Sequence, residues 1–218
     1  LIIFINIIGR VPNTIRQAIQ NLQGGSNWLL YLFILTLMVV VVAAVILMTQ
    51  AVRKIPVQYA KRVVGRRMYG GANTHIPLRV NTAGVIPIIF ASSIMIFPTF
   101  VAGLAKWDMV QQIFSPTGWL YNILYGVIII FFTYFYTAVV LNPNDLAENM
   151  RKYGGFVPGI RPGRKTADYI DRVLSRITLP GAIFLALIAV LPDVIMANTG
   201  ARFLSFGGTS VLIVVGVA

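Results

Sequence analysis

Four stretches of this chain are long and apolar enough to cross a lipid bilayer, and its basic residues collect in every second connection between them. A helix crossing the hydrocarbon needs about 20 mostly apolar residues. Residues 28–50, "WLLYLFILTLMVVVVAAVILMTQ", meet that most cleanly. Residues 81–104 follow, with Pro87 and Pro98 inside, then 119–141, aromatic throughout, and 179–197, opening at "LPGAIF" and ending near Asp193. Partial spans flank them at 1–8 and 206–218. In lipid every backbone polar group must be satisfied within helices or a closed barrel, and no ten-residue alternating barrel pattern repeats here. The sequence therefore predicts an all-α polytopic membrane protein, a helical bundle. The Lys+Arg count of the successive connections runs 2 (9–27), 7 (51–80), 1 (105–118), 7 (142–178) and 1 (198–205). A missed helix would break this alternation. The positive-inside rule places 51–80 and 142–178 in the cytoplasm of a multi-pass membrane protein.

Composition narrows the chemistry. Only 11% of the 218 residues are charged, against about 25% in soluble domains. There is no cysteine, hence no disulfide, thiolate zinc site or cysteine nucleophile, and the lone His75 builds no histidine metal site by itself. An integral membrane enzyme needs convergent acids, bases or metal ligands; the 6 acidic residues lie mostly in connections and form no such cluster. A secondary solute transporter, the alternative reading, needs charged or unwound binding groups at mid-depth, and only Asp193 lies near a span, close to its outer end. No cofactor and no nucleotide-binding loop is indicated, so any driving energy comes from a partner. Leu1 is not a start methionine, "LIIFINII" has no features of a signal peptide, and the chain stops within an apolar run. Both ends read as cut, as in a piece of a longer protein.

The two basic segments are built differently. In 51–80, "IPVQYA" (55–60) and "HIPLRV" (75–80) alternate apolar and polar residues and read as short strands, each with a proline suited to a sheet edge. Between them lies "KRVVGRRMYGGANT", where Gly65 and Gly70–Gly71 favour turns, so a hairpin-like projection with Arg66 and Arg67 near its tip is predicted. In 142–178, Asp145 and Glu148 resemble a capping box opening a short helix to about Lys152. "FVPGIRPGR" then reads as a tight exposed loop presenting Arg161 and Arg164, and "TADYIDRVLSRI" as an amphipathic helix leading into the next span. Topology and attraction to anionic lipid account for Arg53, Lys54, Arg172 and Arg176, beside spans. Arg66, Arg67 and Arg161 lie farther from any span, on turns, where arginine suits bidentate contact with phosphates or carboxylates. In the span 81–104, Asn81, Thr82, Ser92 and Ser93 are compatible with close helix packing, and the two prolines with a bend. Such a helix suits a moving gate and equally an inert packed position.

Several of these stretches together resemble the SecY family, the central subunits of the bacterial protein-conducting channel. The resemblance rests on "YAKRVVGRRMYGGANTHIPLRVNTAGVIPIIFASSI", "YFYTAVVLNP", "GGFVPGIRPGRKTADYIDRVLSRITLPGA" and "FGGTSVLIVV", in collinear order over essentially the whole chain. It implies one half of a ten-helix channel, from the end of helix five through part of helix ten. The first four helices, with the plug, half the pore ring and the facing wall of the lateral gate, are not in this sequence. It also implies roles. Ile3, Ile89 and Ile213, with Ile7 one turn after Ile3, match an aliphatic ring that closes around a translocating chain. Ser93 and Phe97 match the lateral gate, where signal sequences pass sideways into membrane lipid. Arg66, Arg67, Arg161 and Arg164 match surfaces that dock the ribosome, through its RNA and proteins, and the SecA motor ATPase. The implied partners further include the SecE and SecG subunits, signal sequences and nascent polypeptides.

Overall fold

The computed structural model describes residues 28–59, 62–64, 67–69, 73–104 and 118–199, with Gly9, Pro12, Asn13 and Arg16 helical before them. The first apolar stretch is one helix, α1 (Trp28–Gln50). The chain then turns extended: β1 (Val52–Tyr59), β2 (Arg62–Val64), β3 (Arg67–Tyr69) and β4 (Asn73–Arg79) precede α2 (Ile86–Leu104). The helices α3 (Trp119–Val140) and α4 (Pro143–Lys152), the two-residue strand β5 (Gly155–Phe156) and the long helix α5 (Arg164–Thr199) complete it. Among the described residues, the helices beginning at Trp119 and Arg164 are long and apolar enough to cross a membrane.

Two cores form. One lies among the long helices, where Val45 of α1, Ile88 and Met95 of α2, Ile129 of α3 and Leu185 of α5 pack together. α3 and α5 pack along one another with Gly126 facing Ala186 and Val190. The second core is separate. β1 pairs antiparallel with β4 in the register Ile55↔Ile76, and β5 adds to the other edge of β1 through Gln58↔Phe156 and Tyr59↔Gly155. Alternation then turns Ile55 and Val57 to one face. There they meet Leu78, Met150, Val157, Ile170 and Leu174. The two basic segments thus fold into one sheet-and-helix module with its own apolar interior.

Four expectations need correction. β1 is the middle strand of the order β4-β1-β5, so Pro56 is not on an edge strand; it is tolerated because β5 pairs only with Gln58 and Tyr59. α4 is capped by Asn142, not Asp145: Asn144 N–H donates to Asn142 Oδ1 at 3.1 Å, with Pro143 in the first turn, and Glu148 instead pairs with Lys152 at 3.0 Å. α2 starts at Ile86, not near Asn81, which puts Pro87 in the first turn where its missing N–H breaks no bond; Pro98 alone lies inside the helix. The amphipathic segment and the fourth apolar stretch, 179–197, are one helix of 36 residues containing Pro180 and Pro192. Its rise, about 54 Å, exceeds a hydrocarbon thickness of about 30 Å.

Candidate functional site

The module presents its cations from rigid supports. Gly154, at φ 69°, ends α4, and its N–H donates to Arg151 O. Val157-Pro158-Gly159-Ile160 then forms a type II turn: Gly159 has φ 82° and Ile160 N–H donates to Val157 O at 3.1 Å. Past the turn, the buried Thr166 hydroxyl donates to the carbonyl oxygen of Arg161 at 3.0 Å, folding the loop back onto the first turn of α5. Thr166 was invisible as a functional residue in the sequence, where it is one polar residue at a helix start. Its bond leaves the Arg161 side chain exposed on a fixed backbone. Arg164 is the first residue of α5, not part of the loop, and is exposed beside it. Arg53, Lys54, Arg79, Arg151 and Lys152 are also exposed on the module. The one ion pair among the described residues is Lys152–Glu148. The remaining cations sum into a positive field suited to a polyanionic or acidic surface. Arg67 opens β3 opposite Val64. Arg66 lies outside the described residues.

The module joins α2 through a short, bonded connection. Val80 N–H donates to Ala51 O at 3.0 Å, closing the base of the β1–β4 hairpin. Thr82 hydroxyl donates to Arg79 O at 2.9 Å, and Gly84 N–H, at φ 62°, donates to Asn81 Oδ1 at 2.9 Å. These bonds explain why the helix waits until Ile86. Along α2, Ile88, Ala91 and Met95 face the core. Ile89, Ser93 and Phe97, spaced by four, form a stripe on the uncovered side, with Phe97 69% and Ile89 36% exposed. Both serine hydroxyls donate to Ile89 O, Ser92 at 2.9 Å and Ser93 at 2.8 Å, so neither reaches across to another described helix. Pro98 cannot donate to the carbonyl of Ile94, which removes one helical bond beside Phe97. The structure therefore brings Ile89 together with Ser93 and Phe97. Ile3, Ile7 and Ile213 lie outside the described residues. No group of three or more His, Cys, Asp or Glu that could hold a metal occurs among the described residues.

Comparison with known proteins follows the same outline. A family profile described as SecY matches residues 1–218. The chain is 46% identical over 218 residues to the protein translocase subunit SecY of Thermotoga maritima, covering 100% of this chain and 50% of that protein. It is 45% identical to the SecY subunit of Mycobacterium tuberculosis (strain ATCC 25618 / H37Rv), of which it covers 52%, and 44% identical to that of Streptomyces coelicolor, of which it covers 51%. The chain thus spans about half the length of the curated relatives it matches. A solved protein-conducting channel superposes with TM-score 0.58 at 16% identity, over 94% of this chain and 51% of that one. A solved SecY channel, in which the plug domain stabilises the closed state, gives 0.60 at 18%, with the same coverage. Those two likenesses establish the fold, a polytopic helical membrane protein. With the profile running from the first residue to the last and an overall identity of 46% to a relative across the whole chain, this chain belongs to the SecY family.

Proposed function

We infer that this chain supplies the second half of a protein-conducting channel subunit in the bacterial plasma membrane. In this reading the channel passes unfolded secretory polypeptides across the bilayer and releases transmembrane segments sideways into lipid. The sheet module faces the cytoplasm and is the docking surface for the ribosome or the SecA motor. α2 is the mobile wall of the lateral gate. The observation that carries the reading is the direct connection of the two: one strongly basic module, built from both basic segments, runs through the bonded turn of residues 80–85 into the helix that bears Ile89, Ser93 and Phe97. An apolar constriction of Ile89 with Ile3, Ile7 and Ile213 suits such a pore, because it holds no fixed charge against ions yet yields to varied side chains. SecE and SecG are the partner subunits in this reading, and energy enters from the docked partner.

The test is ribosome binding to vesicles holding the complete channel. Replacing Arg66 and Arg67 by Glu weakens binding, and the difference from wild type grows as salt is lowered. Equal binding at all salt concentrations refutes the docking role and leaves those arginines as topology signals only.

A further inference from the structure

The junction between the module and the long helices turns on one glycine. A Cβ placed on Gly181 of α5 would lie 2.9 Å from the backbone oxygen of Val80, 3.5 Å from Val80 Cγ1 and 3.7 Å from Met48 Cε of α1. The first distance is shorter than side-chain carbons tolerate, and the obstacle is backbone, which cannot rotate away. Gly126, also on a helix–helix contact, would meet Ala186 and Val190 only at 3.9 and 4.0 Å, which is ordinary contact. The bareness of Gly181 is therefore a requirement of Val80, not of helix packing in general. Val80 is held on its other side by Ala51. It is also the last residue before the bonded turn into α2. Next to Gly181, Pro180 cannot donate to the carbonyl of Arg176, so α5 lacks one backbone bond where it meets the junction.

We propose that Gly181 is a positioning residue for gating: its bare α-carbon is the bearing on which Val80 turns, so that displacement of the sheet module reaches α2 as a tilt. This rests on the docking-and-gate reading above. A rigid module with its own core transmits motion only through fixed contacts, and the bearing and the Ala51 bond are fixed contacts at the same residue. Adding one methyl group at Gly181 shifts Val80 and with it the resting position of α2, while the docking face stays as it is.

The experiment uses the complete channel with its partner subunits in lipid vesicles and measures two quantities. One is ribosome affinity. The other is the yield of a secretory protein whose signal is interrupted by a charged residue, divided by the yield with the intact signal. Gly181→Ala leaves affinity within about twofold and changes the yield ratio by about fivefold or more, the lower end of coupling between sites. Gly126→Ala changes neither. An unchanged ratio in Gly181→Ala, or an equal change in Gly126→Ala, overturns the proposal. Loss of ribosome binding to the wild-type channel would instead overturn the docking reading. If Gly181→Ala does not accumulate, a second arm decides. These 218 residues hold no cysteine, so, with any cysteine elsewhere in the channel replaced by Ser, Met48→Cys with Val80→Cys can be bridged by a short reducible thiol reagent. A bridged channel that binds ribosomes but translocates only after reduction supports the bearing; one that translocates while bridged overturns it.

Discussion

Ile170→Ala tests whether the two cores are separate units. Ile170 is 2% exposed and sits on the part of α5 that packs under the sheet, against Ile55, Val57, Leu78, Met150, Val157 and Leu174. Truncation removes three carbon atoms from a filled interior and leaves a cavity, a loss of about 3 kcal/mol for such a site. Local opening of the module then becomes roughly 150-fold more frequent, since each 1.4 kcal/mol is tenfold. Amide hydrogen exchange of the complete channel in lipid nanodiscs reads this directly, because exchange of protected amides follows the local opening equilibrium. Amides of β1 and β4 around Val57 and Leu78 exchange faster by that order. Those of α3 around Ile129, fully buried in the other core, keep their wild-type rates. Unchanged exchange in β1 and β4 would show that α5 does not hold the sheet. Equal acceleration at Ile129 would show a single cooperative core.

Three smaller predictions follow from named contacts. Asn142→Ala removes the α4 cap and costs about 1 kcal/mol, whereas Glu148→Gln, which breaks an ion pair between side chains 63–65% exposed, stays within about 0.5 kcal/mol; exchange at the first turn of α4 separates the two. Thr166→Val deletes the donor to Arg161 O and costs about 1 kcal/mol locally, and the freed loop lowers affinity for the docked partner although no cation is lost, as measured by vesicle binding. Ile89→Asn, at a side chain 36% exposed, leaves thermal stability within about 0.5 kcal/mol yet raises ion leak and admits weakened signals; unaltered leak and stringency remove Ile89 from the constriction.

Hydropathy located α1 and α3 to within a residue, because polar residues stop each apolar run at both ends. It misplaced the start of α2, because a window average absorbs Asn81, Thr82 and Gly84 into the apolar run although their side-chain bonds and positive φ build a turn. Pro180 suggested a boundary that does not exist: the apolar stripe of Ile170, Leu174 and Leu185 continues past it, and packing on both cores outweighs one missing backbone bond. The short helix was read from Asp145 and Glu148, whereas Pro143, suited to a first turn, marks Asn142 as the cap. The β1–β4 pair was legible from alternation. β5 was not, since two residues form a strand only where a partner edge exists, and no local pattern announces that. The same holds for the site. A spacing of four already puts Ile89, Ser93 and Phe97 on one side of a helix, but the contact of Gly181 with Val80 joins residues about 100 positions apart and leaves no periodic trace.

The sheet that unites the two basic segments also has a schedule. β1 and β4 leave the ribosome long before Gly155, Phe156 and the α5 residues that complete their core. The separation between Tyr59 and Gly155 is about 100 residues, and at roughly 5–20 residues per second the wait lasts about 5–20 s. An isolated two-stranded hairpin is marginally stable at best, so throughout that wait Ile55, Val57 and Leu78 lack their covering partners. Two long apolar helices, α2 and α3, must be made before the hairpin acquires a third strand. The unit therefore cannot close its apolar interior until the segment through Leu174 exists, so two strands made early stay uncovered until a helix made late arrives.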